Sequence, residues 1–500
     1  MFVTGALLGL SAPGYGLWWY AWVGLVPAFW WISQQSNSLP LEGGGLGWGW
    51  KRTALGGFLF GMAYHLVYLA WFPALHPLTW IGFSEWQSVL IVTLGYLILT
   101  GLGGVLIGAL LLLFYWSSKQ SGWMKLTFFA FPLIWPLAFD WFSVTQLWIP
   151  WARLSYTQVV DGWGVSVHRE LFIVLINMVV FWFYFIRNKT FKQNIAASLF
   201  LVFMLGLYVR GYTYIEPYGN DWTPIVIVQG NLPIGVIRSQ KESWVAAKEV
   251  YLDNIRQLDF KPGTLLVLPE EGAIPGAVNI EAPDENPSFR DLMAVAHEKQ
   301  IAIITGIIAY KILPTDGREV YNAQALIDPR QEDIQFYFKR ELVPFGEMVP
   351  FFDKNWLENQ LEKFNVGFNP PYLSGSKQQE SMKLKWKESH DILIGGLICF
   401  ELIWPELPKG TDIGLAPSYL VNTSNLGWFH GNKFGEKLMQ EQFLAIGRMR
   451  AAENNTFVII AANTGISAVI SDTAPRILAR SDRDGTPLPG GATLLQVGGN

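Results

Sequence analysis

The distribution of charge along the chain constrains its fold more than any other feature. Residues 1–223 contain 10 Lys/Arg and 7 Asp/Glu, whereas residues 224–500 contain the remaining 26 and 33. Only 15% of all residues are charged, against about 25% in soluble proteins. The sequence therefore predicts a helical membrane domain in residues 1–223, followed by a domain of soluble composition in residues 224–500.

Apolar stretches in the first part are candidates for helices that cross a bilayer, which takes about 20 residues. They cover residues 15–33, 54–72, 87–115, 126–143, 171–186 and 195–214, with residues 2–11 as a shorter seventh candidate. We therefore expect a bundle of six or seven transmembrane helices. Asp140 lies near the end of one stretch, where it fits either a side chain reaching the interface or a functional group.

Basic residues in the connecting loops predict the orientation of this bundle. Loops 34–53, 116–125 and 187–194 contain seven Lys/Arg, whereas loops 73–86 and 144–170 contain only two. Basic loops stay on the cytoplasmic side of a membrane. The last candidate helix then ends on the opposite side, so residues 224–500 are expected outside the cytoplasm.

The second part changes to short apolar runs separated by helical stretches, which is typical of a layered α/β fold. Several runs are apolar without alternation, as in strands that are covered on both faces. We predict strands at residues 224–231, 264–271, 301–310, 321–328, 333–340, 391–400 and 456–465, and helices at 241–258 and 436–454. Residues 353–375 fit a mobile lid or an ordinary surface loop.

Three predicted strands end on residues that can carry chemistry. Cys399 is compatible with a nucleophile exposed by a turn, and also with a buried, inert thiol. Glu270 and Glu271 follow the run LLVLP and fit a general base or a solvated strand end. Lys339, in FYFKRELVPFGE, fits a cation that stabilises a thiolate and an oxyanion, or a surface lysine.

Other classes of site are disfavoured by what the sequence lacks. A single cysteine excludes an internal disulfide framework and a zinc site built on cysteines. The six histidines show no HExxH spacing, and neither GxxxxGK[ST] nor a strand-linked GxGxxG occurs. The net charge of −4 argues against a nucleic-acid partner. We therefore expect no metal, no nucleotide and no other cofactor.

Three segments occur along the chain in the order of a known catalytic triad: Pro269-Glu270, Lys339 and Cys399. This is the Glu–Lys–Cys triad of the carbon–nitrogen hydrolase, or nitrilase, family, which the chain resembles. The resemblance implies an αββα sandwich in which these three residues are catalytic. The membrane stretches and several segments resemble one branch, the apolipoprotein N-acyltransferases. These segments are Lys339–Glu347, Cys399–Glu401, Asn425–Phe429, Arg448–Glu453 and Ala462–Ser467.

This branch implies transfer of a fatty acyl group from a phospholipid to the amine of a diacylglyceryl-cysteine lipoprotein, through a thioester on Cys399. It places the protein in the bacterial inner membrane, with the catalytic domain on the periplasmic side. Glu347 and Glu401 are implied to orient Lys339 and the Cys399 loop, although each also fits a simple loop cap. The alternatives are a membrane-tethered amidase that uses water and a non-enzymatic scaffold.

The sequence departs from the pattern of the branch at positions that concern substrate fit. Leu426 stands where an aspartate is usual, Phe400 where a tyrosine is usual, and Arg238 near a usual tryptophan. Residues 481–500 are polar and glycine-rich, and they do not supply the final helix of the branch. We therefore expect substrate preference to differ more than the chemistry.

Overall fold

A computed structural model of the chain forms two compact units, which we call the helical unit and the sheet unit. The helical unit contains Met1–His76, Val89–Ile215 and Gly431–Ala445, and the sheet unit contains Pro77–Ser88, Glu216–His430 and Ile446–Asn500. The predicted span 195–214 lies outside the described residues, as do most of residues 353–375, which fitted a lid or a surface loop. Described are residues 1–37, 48–119, 125–143, 150–159, 169–185, 223–270, 273–314, 317–344, 346–348, 373–377, 381–387, 390–407, 417–471 and 476–498.

Most of the apolar stretches in the first part of the chain form helices. These are Phe2–Gly9, Val26–Asn37, Trp48–Tyr68, Glu85–Lys119, Lys125–Ser143 and Arg169–Phe185. Within the described residues, Glu85–Ser118 has the length and mean hydropathy, 2.5, of a membrane span, whereas Glu170–Trp182 is apolar but shorter.

The predicted span 15–33 is wrong as a single helix. A 3-10 turn at Trp18–Trp22 precedes the helix Val26–Asn37. Pro27 stands at the second residue of that helix, where its missing N–H costs nothing, but a proline deeper in a helix removes a hydrogen bond. The proline therefore sets where the helix begins.

Asp140 belongs to a group of three charged residues in the helical unit. Arg153 Nη1 lies 2.6 Å from Asp140 Oδ1, and Arg153 Nε lies 3.0 Å from Glu170 Oε2. The Arg153 and Glu170 side chains are almost wholly buried, while that of Asp140 is half-exposed. The arginine therefore ties residues 150–159 to two helices, and both carboxylates share its single positive charge.

The described residues of the sheet unit form two sheets. The first consists of β1 (Ile225–Gln229), β2 (Leu265–Leu268), β3 (Ala277–Asn279), β4 (Ala302–Ile312), β5 (Arg318–Ile327), β6 (Gln335–Phe338), β13 (Thr486–Pro487) and β14 (Thr493–Val497). The second consists of β7 (Met382–Lys387), β8 (His390–Ile398), β9 (Tyr419–Ser424), β10 (Phe457–Ala462), β11 (Ala468–Ile470) and β12 (Ile477–Arg480).

The strand order is β13-β14-β1-β2-β4-β5-β6 in the first sheet, with β3 beside β4, and β12-β11-β10-β9-β8-β7 in the second. Strands β1, β2 and β4 are parallel, as are β8, β9 and β10. β14 runs antiparallel to β1. All seven predicted strands are present, within a few residues at each end.

Both faces of the first sheet are buried, which explains the apolar runs without alternation. In β1, Ile225 and Ile227 face a core shared with the second sheet, whereas Val226 and Val228 face a core shared with helices. Those helices lie between Gln240 and Gln257 and at Pro287–Lys299. The end of the helix Lys433–Asn454, from Ile446 onward, packs on the second sheet, where Gly447 lies against Ile460 and Ile470. The predicted αββα sandwich is confirmed.

Two parts of this unit differ from the expectation. The helix predicted at 241–258 is interrupted by a π-helical turn, Ala247–Leu252. The polar residues 481–500 supply β14, which lies between the edge strand β13 and β1 in the first sheet. The sequence does not predict this strand, because its two buried apolar residues, Leu494 and Leu495, are surrounded by glycines and polar residues.

Candidate active site

Glu270, Lys339 and Cys399 each lie just beyond the carboxyl end of a strand. Glu270 is the second residue after β2, Lys339 the first after β6 and Cys399 the first after β8. The side chains of Glu270 and Lys339 are buried, and Cys399 is partly exposed. Their charges interact, since Glu270 and Lys339 both act on the thiol of Cys399. The structure therefore brings the three predicted residues into one site, while Glu271 lies outside the described residues.

The backbone at Cys399 has a φ of +48°, a left-handed conformation that is rare for residues other than glycine. Cys399 opens a 3-10 turn, Cys399–Ile403, directly after β8. The backbone oxygen of Cys399 accepts a hydrogen bond of 3.2 Å from Asn422 Nδ2. Such a turn projects the side chain of a strand-ending nucleophile out of the sheet, and the surrounding contacts hold it there against the strain.

Glu401 links the turn of Cys399 to the segment that carries Lys339. Its fully buried carboxylate accepts hydrogen bonds from the N–H of Ile398 at 2.8 Å, the hydroxyl of Tyr337 at 2.9 Å and the N–H of Arg340 at 2.7 Å. Burial raises the pKa of Glu401, and Lys339 and the backbone donors offset only part of that rise.

Arg450, to which the sequence analysis assigned no role, supports the other end of this turn. Its fully buried guanidinium donates from Nε to the oxygen of Leu402 at 2.9 Å, and from Nη2 to the oxygen of Ile403 at 3.2 Å. The last carbonyls of a helical turn have no partner within the turn. The helix Lys433–Asn454 therefore satisfies them through a side chain.

Lys339 is paired with Glu347 inside the protein. Its Nζ lies 2.8 Å from Glu347 Oε1, and Glu347 Oε2 accepts a hydrogen bond of 2.9 Å from the N–H of Val343. Burial lowers the pKa of Lys339, but the negative charges of Glu347 and Glu270, and of Cys399 when ionised, raise it to a value above its ordinary one. The ammonium group therefore stays charged at neutral pH.

The buried amide side chains of β5 were missed by the sequence analysis. Asn322 Nδ2 donates to Glu347 Oε1 at 3.0 Å and also to Glu270 Oε1. Gln324 Nε2 donates to the backbone oxygens of Leu397 at 2.8 Å and Val421 at 3.0 Å, which joins the two sheets. The only hint in the sequence was their alternation with small apolar residues inside a predicted strand.

The resting thiol of Cys399 is protonated at neutral pH. Burial of the sulfur and, to a smaller degree, the charge of Glu270 raise its pKa to about 12, because Lys339 and the N–H of Asn425 offset only part of the rise. A thiol is a nucleophile only after it loses its proton, so the site needs a base, and Glu270 is the carboxylate that interacts most strongly with it. Among the described residues, no group of three or more His, Cys, Asp or Glu could hold a metal ion.

Gly306 allows the segment after β2 to lie close to β4. A Cβ at this position would lie 2.6 Å from Cα of Glu270 and 3.1 Å from its nitrogen, so Gly306→Ala must displace the backbone of Glu270. We expect the reaction rate of Cys399 to fall by about 10- to 100-fold, because small misplacements of catalytic groups have effects of this size. The measurement is the rate of alkylation of Cys399 together with the melting temperature.

Gly235→Ala is the matched control, because a Cβ there has no heavy atom within 4 Å. It should leave both quantities unchanged. If Cys399 were alkylated at the same rate in Gly306→Ala and Gly235→Ala, the backbone position of Glu270 would not be critical.

The chain is similar to proteins of known family. The family described as carbon–nitrogen hydrolase matches residues 230–486. The apolipoprotein N-acyltransferase of Vibrio cholerae is 26% identical over 449 residues, covering 86% of this chain and 80% of that protein. That of Thermosynechococcus vestitus is 26% identical over 484 residues, covering 95% and 85%. The solved structure of a branch 10 member of the nitrilase superfamily, from Saccharomyces cerevisiae, has 16% identity and a TM-score of 0.36, covering 56% and 92%.

Proposed function

The chain belongs to the carbon–nitrogen hydrolase family, and on that basis we propose that it is an N-acyltransferase. Its substrates are a phospholipid, which gives a fatty acyl group, and a diacylglyceryl-cysteine lipoprotein, whose N-terminal amine receives it. One observation carries the proposal: a buried base, a buried ammonium and a partly exposed thiol interact in one site. The names of the curated relatives support the choice of reaction.

In the first half of the reaction, the thiol proton of Cys399 passes to Glu270 as sulfur attacks the ester carbonyl of the phospholipid. The oxygen of that carbonyl becomes negative, and the ammonium of Lys339 and a backbone N–H near Cys399 stabilise it. The C–O bond of the ester then breaks. The leaving alkoxide takes the proton from Glu270, which releases a lysophospholipid and leaves a thioester on Cys399.

In the second half, the amine of the lipoprotein attacks the thioester while Glu270 accepts a proton from the nitrogen. The C–S bond breaks, an amide forms, and the Cys399 thiolate takes the proton back from Glu270, which restores the resting site. Glu347 holds Lys339 in place through their 2.8 Å ion pair. Glu401 supports the strained turn through its bond to Ile398. No cofactor takes part in this scheme.

We place residues 1–223 in the bacterial inner membrane as several spans, and residues 224–500 on its periplasmic side. Three observations support this: the bias of basic residues between loops, the candidate span Glu85–Ser118 and its exposed apolar side chains. Those side chains include Leu90, Leu97 and Ile98, each 45–60% exposed, which is costly in water. Acyl chains resist leaving the bilayer at about 0.8 kcal/mol per CH₂, so a catalytic domain at its surface suits both substrates.

The test is mass spectrometry of the full-length protein after incubation with phospholipid vesicles. We expect a mass increase of one acyl group on Cys399, its loss on addition of a lipopeptide amine, and no adduct in Cys399→Ala. Turnover without an adduct would contradict the thioester mechanism. Free fatty acid or ammonia as the sole product would favour the amidase alternative, and unchanged lipoprotein acylation by Cys399→Ala would favour a scaffold.

A further inference from the structure

Asn322 lies at the centre of the buried hydrogen bonds of the site. It is 1% exposed, and its backbone oxygen accepts a hydrogen bond of 2.9 Å from the N–H of Lys339. Its side-chain nitrogen donates to Glu270 Oε1 and, at 3.0 Å, to Glu347 Oε1. The side-chain amide of Asn322 therefore contacts the proposed base and the partner of the proposed cation, and its backbone oxygen contacts the backbone of the cation itself.

The chemistry of the neighbours determines how this amide is oriented. Ionised carboxylates only accept hydrogen bonds, whereas an amide side chain has two N–H donors on one side and one oxygen on the other. If the group were turned over, its oxygen would face two negative oxygens. In the present orientation Asn322 Oδ1 is buried and has no hydrogen-bond partner among the described residues. An unsatisfied acceptor costs stability. The two hydrogen bonds donated by the Asn322 nitrogen must therefore stabilise the site by more than the unpaired oxygen costs.

The contacts of Asn322 affect whether Glu270 is ionised, because other charged groups lie around that carboxylate. From the elements that pack around it, Glu270 faces the backbone of Gly306 in β4, Lys339 after β6 and Cys399 after β8. Glu347 is linked to it by the amide of Asn322. A second carboxylate nearby disfavours ionisation of Glu270, whereas a hydrogen bond donated to its charged form favours ionisation.

We propose that Asn322 is a positioning residue, which keeps Glu270 ionised and aimed at Cys399 so that it can take the thiol proton. This inference rests on the role of Glu270 in the proposed function. Asn322 touches neither substrate in this scheme, and it acts only through the two carboxylates.

The experiment is the rate of alkylation of Cys399 by iodoacetamide as a function of pH, in the full-length protein. Cys399 is the only cysteine among 500 residues, so the label reports one site. Its profile should show a lower limb at the first apparent ionisation of the Glu270–Cys399 pair. In Asn322→Ser, which cannot reach both carboxylates, we expect that limb to move up by about one pH unit. Asn322→Asp, which replaces the donor by an acceptor, should move it further.

Asn254→Ser is the matched control, since Asn254 is 3% exposed and donates to the backbone oxygens of Val250 and Pro489, outside the site. It should lower the melting temperature and leave the limb in place. A similar loss of stability in Asn322→Ser, with an unmoved limb, would overturn the proposal. A wild-type profile without a lower limb would also overturn it, because Glu270 would not be the base. Alkylation needs no phospholipid, so a shifted limb in a protein that forms no acyl adduct would reject the acyltransferase function alone.

Discussion

Lys339→Met is expected to lower the rate of acyl-enzyme formation by about 100- to 1,000-fold, and to destabilise the sheet unit. Loss of one donor to a developing oxyanion has an effect of this size. The loss of stability follows from burial, because Lys339 is 0% exposed and its partner Glu347 is 7% exposed. Removing one member of a buried ion pair leaves the other charge uncompensated, which costs about 3–5 kcal/mol.

The pH dependence of this pair can be derived from the direction of the Lys339 pKa. The folded protein raises that pKa, so the contribution of Lys339 to stability is fully present below the unfolded pKa of about 10.4. It is lost only as the pH rises through the still higher folded value. Between pH 6 and 9 the wild-type enzyme should therefore show no activity limb that belongs to Lys339.

A second substitution separates the two effects of Lys339→Met. In Lys339→Met combined with Glu347→Gln, neither buried charge remains, and we expect most of the lost stability to return. The rate should stay low, because the cation that faces the oxyanion is still absent. The measurements are thermal melting in detergent and accumulation of the acyl adduct on Cys399. A normal rate in the single variant would exclude Lys339 from the chemistry.

The sequence predicted those features that depend on local pattern. Strands such as β1 could be recognised because Ile225, Val226, Ile227 and Val228 are all apolar, and the structure explains this by burial on two faces. The order of the family triad led to Glu270, Lys339 and Cys399, each of which lies just after a strand. β2 and β6 are not neighbours and β8 belongs to the second sheet, so only the fold brings these three strand ends together.

Other features depend on partners that are distant in the chain, and no local pattern reveals them. Arg450 contacts Leu402, which is 48 residues away, and Gln324 contacts Val421, which is 97 residues away. The proposed role of Asn322 depends on the position of its side chain between two carboxylates, which the sequence does not show. A polar residue in an apolar strand indicates a buried partner, but only the fold identifies that partner.

Hydropathy alone also failed where the backbone changes direction within an apolar stretch. Residues 15–33 are uniformly apolar, yet Gly16 has a φ of +80° and a 3-10 turn follows at Trp18–Trp22. Average hydropathy cannot register such a change, since the same residues are apolar in either conformation. The π-helical turn Ala247–Leu252 within the predicted helix 241–258 was not predicted either.

The second large effect is expected at Leu495, in a part of the sequence that showed no clear pattern. Leu495 lies opposite Ile227 in the pairing of β14 with β1, and it is 1% exposed in the core between the two sheets. Leu495→Ala should lower the free energy of unfolding of the sheet unit by about 2–5 kcal/mol, because it removes buried carbon atoms and leaves a cavity. Leu495→Asp should cost more, since it buries an unpaired charge.

Gln496→Ala is the control for this strand, because Gln496 is the next residue and its side chain is exposed. Surface substitutions of this kind change stability by about 0.5 kcal/mol or less. The free energy of unfolding is measured by denaturant or thermal unfolding of the purified full-length protein. The rate of Cys399 alkylation reports on the partly unfolded state. If Leu495→Ala were as stable as Gln496→Ala, β14 would not be part of the first sheet.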